Sequence, residues 1–199
     1  IVDREFMPVI QEAVKKATVA PLLIQYDDPE YDAPKTAVSQ KTDVAALDYD
    51  DFVAGGDPNF AWLMPRDEWD AISINYTSGT TGNPKGVVYH HRGAYLLAQG
   101  NALTTSMGKH AVYLWTLPMF HCNGWGYPWT LASLHAREVF IRNIVVKDIF
   151  NLIDQYEVTH FGGAPIVLNM IANAPKEDQK VLKNKIYVMT AGAPPPSSI

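Results

Sequence analysis

The segment Tyr76–Gly86, YTSGTTGNPKG, gathers hydroxyl side chains, glycines and a single lysine into a run almost free of apolar residues. Gly79, Gly82 and Gly86 permit tight turns, positive φ and close approach of backbone to a ligand, so amide N–H groups can converge on an anion. Thr77, Ser78, Thr80 and Thr81 add short donors, and Lys85 adds a compact positive charge. Together these residue types describe a cradle for phosphate. The spacing is not that of the common nucleotide loop G-x-x-x-x-G-K-[ST], which would need Gly at 84 and Ser or Thr at 86, where the chain has Pro84 and Gly86. Nor is it the dinucleotide pattern G-x-G-x-x-G. The plain alternative is a polar surface turn, for which Gly82-Asn83-Pro84 is good chemistry, but such a turn does not require the whole ordered string.

Other chemically capable residues are sparser. His121 follows a strand-like run and precedes a Gly-Trp helix start, although a lone histidine is more often structural than functional. His90 and His91 are read as the start of a helix and not as metal ligands, because no acid or histidine falls at ligand spacing. Trp115, Trp125 and Trp129 are by default core aromatics. Cys122 is read as a small buried apolar residue and not a nucleophile, and Asp48, Asp50 and Asp51 as a solvated face.

The elements that must hold the cradle alternate along the chain. Asp3 caps a first helix with Phe6, Val9, Ile10, Ala13, Val14 and Ala17 on one stripe. PLLIQY reads as a strand, 27–44 as a polar loop, and ALDYDDFVAG as a short helix ended by Gly55. Ile72, Ile74 and Tyr76 alternate with polar or small residues, so the phosphate loop leaves a strand end, and the chain beyond it turns helical over Tyr95–Leu103. AVYLWTLPM, REVFIR, VTHF and KIYVMTA read as strands. Between them lie helices in GWGYPWTLASLHA, around Ile149, Leu152, Ile153 and Tyr156, and in PIVLNMIA, which Pro165 opens. This alternation gives an α/β fold, a mostly parallel sheet flanked by helices, with ligands expected at the carboxyl ends of its strands.

With 199 residues a chain can bury about 70% of its unfolded surface. The formal charge of −5 and pI near 5.6, with no basic cluster, argue against nucleic acid or an anionic membrane as partner. One cysteine rules out an internal disulfide and fits a reducing compartment, hence a cytoplasmic location. Neither a signal peptide nor an apolar run of spanning length is found. The opening at Ile1 and the close at AGAPPPSSI make the chain look like a piece of something longer.

The string YTSGTTGNPKG resembles the phosphate-loop signature of the adenylate-forming, AMP-binding enzymes, among them acyl-CoA synthetases, adenylation domains of non-ribosomal peptide synthetases and firefly luciferase. PMFHCNGW, Pro118–Trp125, resembles that family's second core motif, and TAGAPPP, Thr190–Pro196, its adenine-side turn. HHRGAYL, LPMFHCNGWGYPW and GAPIVLNMIANAP are most similar to the branch of medium-chain acyl-CoA ligases that includes the 3-methylmercaptopropionyl-CoA ligases. The resemblance covers essentially the whole chain, without a diagnostic motif in the first 65 residues.

That resemblance implies part of the large N-terminal domain of an adenylate-forming enzyme. Residues 1–70 would be a partial N-terminal subdomain with a loop-rich connection, and 71–199 the AMP-binding α/β subdomain. It implies ATP, Mg2+ and CoA as cofactors and a carboxylic acid as substrate, activated to an acyl-adenylate and then an acyl-CoA thioester. Thr77, Ser78, Gly79, Thr80, Thr81, Gly82 and Lys85 would hold the β- and γ-phosphates, with Thr81 at the metal, and Gly192, Ala193 and Pro194 the adenine. His121 and Lys85 are the expected catalytic residues, with His121 beside the carboxylate and α-phosphate, and Trp125 and Gly163 lining the acyl pocket. A homodimer is expected for the intact enzyme. The family's aromatic-Gly-x-Thr-Glu segment, ribose-binding Asp, adenylation lysine and C-terminal domain are absent from these residues, so the piece alone is expected to be inactive. A carrier-loading adenylation domain and a non-catalytic nucleotide-binding scaffold stay open as alternatives.

Overall fold

The computed structural model describes residues 1–31, 46–77 and 82–191. The chain divides into two compact units, Ile1–Leu63 and Met64–Ile199.

In the first unit three short strands, β1 (Val2–Asp3), β2 (Leu23–Tyr26) and β3 (Ala46–Asp48), pair in parallel in that order. Asp3 is a cap as expected, its carboxylate accepting from Glu5 N at 2.8 Å, but the turn it opens is a 3-10 turn over Arg4–Phe6 ahead of α1 (Met7–Val14). A 3-10 turn winds three residues per turn, so Phe6 falls out of phase with the α-helical stripe. The residue the helix buries is Met7, at 1% exposure, while Phe6 and Val9 are 56% and 67% exposed. In α2 (Tyr49–Ala54) Asp48 is more than a solvated acid. Its carboxylate accepts from Asp50 N and Asp51 N at 2.8 and 3.1 Å, and those two acids sit in the first turn, where the helix dipole favours them. Most of the loop read over 27–44 lies outside the described residues.

The second unit opens with an antiparallel hairpin, β4 (Ala71–Thr77) and β5 (Lys85–His90). The chain after the phosphate loop is therefore a strand before it is a helix, a departure from the expected strand, loop and helix order. Gly86 and the short β-branched pair Val87-Val88 hid that strand from the periodicity. The helix α3 (His91–Thr104) starts where His90 and His91 were placed, with His90 Nδ1 accepting from Gly93 N at 3.0 Å.

A four-stranded parallel sheet follows in the order β7-β6-β8-β9, with β6 Val112–Trp115, β7 Arg137–Phe140, β8 His160–Gly162 and β9 Tyr187–Met189. Helices α4 (Tyr127–Ser133), α5 (Val146–Tyr156) and α6 (Pro165–Ala172) connect them. Leu114 faces a core with Ile149, Ile153, Val158, Phe161 and Val167, so the α5 stripe is buried as its spacing implies. Tyr113 and Trp115 face the opposite layer with Met107, Tyr127 and Leu131, which is the two-sided burial that parallel strands require.

Candidate functional site

The path from β6 leads to β7 on one side, whereas β8 leads to β9 on the other. The order therefore reverses between β6 and β8, and a crevice at the carboxyl ends of these two strands is the standard ligand position of an open α/β sheet. Thr116, buried and directly after β6, donates its hydroxyl to Gly162 O at 2.6 Å and ties the two strand ends together. Gly163 follows, its N–H donating to Met189 O at 2.9 Å. A Cβ on Gly163 would lie 3.5 Å from Thr116 Oγ1 and from Val167, in ordinary contact with both side chains.

The segment leaving β6 carries His121 and Trp125. From Cys122 to Gly126 every φ is positive, at 44°, 44°, 57°, 55° and 77°, which makes a short left-handed turn out of residues that mostly prefer the right-handed region. Close packing explains its two glycines. A Cβ on Gly124 would stand 3.0 Å from the Trp115 ring, and one on Gly126 only 2.3 Å from Leu97 Cδ2. The turn brings the Trp125 ring to Gly162, whose added Cβ would lie 3.5 Å from it. Trp125 thus lies beside Gly162, the residue before Gly163 at the end of β8. His121 is exposed, and its N–H donates to Pro118 O at 3.2 Å. Cys122 is exposed too, which corrects the expectation of a buried apolar residue, because the left-handed turn carries it outward.

At the hairpin, Thr77 and Lys85 are register partners, so β4 and β5 pair right up to the edges of the connection 78–84. Gly82 has φ of 87° with no heavy atom within 4 Å of an added Cβ, and Lys85 is exposed. Among the described residues no carboxylate forms an ion pair with Lys85. Ser78, Gly79, Thr80 and Thr81 lie outside the described residues, as do Gly192, Ala193 and Pro194. Among the described residues no group of three His, Cys, Asp or Glu is placed to hold a metal.

Two residues escaped the sequence reading. Thr116 carried a usable signal, a hydroxyl at the carboxyl end of a strand, but Asn101 sits mid-helix and carried none. On the face of the sheet toward α3, His160 stacks on Tyr187 at 5.0 Å, and burial pushes its imidazole below the usual histidine range. Burial likewise drives the Tyr113 phenol far above its ordinary value, and raises that of Tyr127.

The family model for the AMP-binding enzymes matches residues 2–199. Over its full length the chain is 46% identical to a peroxisomal acetate/butyrate–CoA ligase of Arabidopsis thaliana, and 44% identical to an acetate–CoA ligase of Humulus lupulus. It spans 36% of the length of each of these curated relatives. Among solved structures, the inhibitor-bound N-terminal domain of a Mycobacterium tuberculosis protein, FACL13, superposes with a TM-score of 0.75 at 23% identity, covering 98% of this chain and 45% of that one. An o-succinylbenzoate–CoA synthetase of Bacillus subtilis, solved with ATP and magnesium, gives 0.64 at 20%, covering 95% and 37%. These two likenesses extend the agreement to the fold. On a match this complete, the chain belongs to the AMP-binding enzyme family.

Proposed function

We propose that the protein of which these residues form the matched region activates a short carboxylic acid with ATP and transfers the acyl group to CoA. The observation that carries this reading is the hairpin, whose antiparallel strands converge on Thr77 and Lys85 and so present a glycine- and hydroxyl-rich connection with an exposed lysine at its base. In-line displacement at the α-phosphate needs charge on the departing diphosphate to be neutralised by donors already in place. Lys85 supplies one cation, and the hydroxyls of Thr77, Ser78, Thr80 and Thr81, with the Gly79 and Gly82 backbone, supply the donors. Gly192, Ala193 and Pro194 form the adenine side.

The donor set suits Mg2+ carried on phosphate oxygens, because this ion keeps few protein ligands and takes the rest from its nucleotide. Thr81 would hold it, and when bound it adds Lewis-acid neutralisation of the phosphates. His121 orients the acid carboxylate, while Trp125 and Gly163 bound the acyl group. The names of the relatives, ligases of acetate, butyrate and 2-methylpropanoate, favour CoA over a carrier protein as acceptor and short acids as substrates. The reading includes a homodimer, checked by light scattering of the intact protein. It also includes a cytoplasmic location, which imaging of the tagged intact protein would separate from the peroxisome named for two of the relatives.

The test is ATP–pyrophosphate exchange and acyl-CoA formation by the intact protein with acetate, butyrate and 2-methylpropanoate. Lys85→Ala is expected to lower kcat/KM by about 100-fold, the order found for removing one preorganised transition-state donor. Unchanged turnover in that variant, or no exchange with any of the three acids, overturns the reading.

A further inference from the structure

The left-handed turn at Cys122–Gly126 has a brace outside its own segment. Asn101, on α3, donates from Nδ2 to Trp125 O at 3.0 Å and to Thr130 Oγ1 at 3.2 Å. Thr130, at 0% exposure, in turn donates its hydroxyl to Gly126 O at 3.0 Å. A main-chain carbonyl only accepts, so the amide nitrogen of Asn101 has to face it, and an aspartate of the same shape could not replace it. These four residues form a polar network that links α3, the end of the turn and the first turn of α4.

Backbone in a sparsely populated region persists when its surroundings over-determine it. Here they include the Trp115 ring against Gly124, Leu97 against Gly126, the backbone bonds from Asn123 N to Phe120 O and from Tyr127 N to Gly124 O, the Thr130 hydroxyl on the Gly126 carbonyl, and the Asn101 amide on the Trp125 carbonyl. Of these, the amide is a side-chain hydrogen bond that reaches Trp125 itself from another element. The indole then reaches Gly162 at the carboxyl end of β8.

We propose that Asn101 is a positioning residue that sets the place of Trp125 at the mouth of the β6–β8 crevice, and through it the length of acid that the crevice accepts. The selectivity half of this proposal rests on the ligase reading above, while the positioning half does not. Asn101 touches no reacting atom. It acts through the carbonyl of Trp125, whose ring forms a wall beside Gly162.

The experiment uses the intact protein labelled with 5-fluorotryptophan, the Trp125 resonance being assigned with Trp125→Phe. Wild type is expected to give one sharp Trp125 signal. In Asn101→Asp and Asn101→Ala that signal shifts and broadens while the other indole signals stay in place. Thr130→Val, which removes the second link with little change of shape, produces a smaller version of the same change and decides the matter if the Asn101 variants do not fold. In turnover, the Asn101 variants raise KM for acetate while KM for ATP is unchanged. The ratio of kcat/KM for hexanoate over acetate rises about tenfold, the scale of opening a pocket wall by a methylene or two. An unmoved Trp125 signal in all three variants overturns the proposal, whatever the turnover. A moved signal with the acid preference unchanged overturns its selectivity half. Absence of ligase activity in the wild type strikes the ligase reading alone, and the fluorine spectra still decide the role of Asn101.

Discussion

Cys122, Asn123 and Trp125 each occupy a backbone region that costs an L-residue roughly 1–2 kcal/mol. Replacing Cys122 by Gly removes that cost and is expected to raise the urea midpoint by the equivalent of about 1 kcal/mol, less the extra entropy that glycine gives the unfolded chain. Asn123→Gly should gain less, since asparagine tolerates the left-handed region better than most residues. Gly126→Ala should go the other way by more than about 2 kcal/mol, because its methyl would meet Leu97 at 2.3 Å as well as a φ of 77°. Equal midpoints for the three variants would show that the turn is not held against its preference. His121 and Trp125 were singled out by their motif, yet the handedness of the turn between them was not legible. Its two glycines and Asn123 are candidates for positive φ, but nothing in Cys-Asn-Gly-Trp-Gly marks Cys122 or Trp125 for it.

At the level of elements, long and strongly periodic segments were the readable ones. The α5 stripe of Ile149 and Ile153 is buried, and α6 begins at Pro165 and ends at Ala172. Short segments without a clear period were not readable. β5 was missed because its first residues serve the loop, and the α1 stripe was misphased by a 3-10 turn that sequence does not announce. The crevice was legible only as a rule about strand ends, because which strands are neighbours depends on long-range pairing. α5 also ends unusually, with Glu157 in the left-handed conformation at φ of 53° where glycine is the common choice. Glu157→Gly is therefore expected to stabilise the protein by about 1 kcal/mol, read as a higher thermal midpoint. A lower midpoint would mean that the glutamate makes a compensating contact.

On the scale of the molecule, stability should carry an imprint of the buried imidazole. His160 has a folded-state pKa below its ordinary value, with loss of hydration as the main cause. The unfolded chain therefore binds a proton that the folded chain refuses, so this contribution is complete above about pH 6.5 and disappears as pH falls through the depressed folded-state value. Denaturation midpoints should be level near neutrality and fall below about pH 6, and His160→Phe, which keeps a ring against Tyr187, should flatten that fall. An unchanged profile in the variant would remove His160 as its source. Among the described residues no helix is long and apolar enough to cross a membrane. The exposed sulfur of Cys122 offers a direct handle on the ring beside the crevice. It is the lone thiol of these residues and lies three positions before Trp125, so a bimane fluorophore attached there would be quenched by the indole and report, as brightness, each time the ring departs.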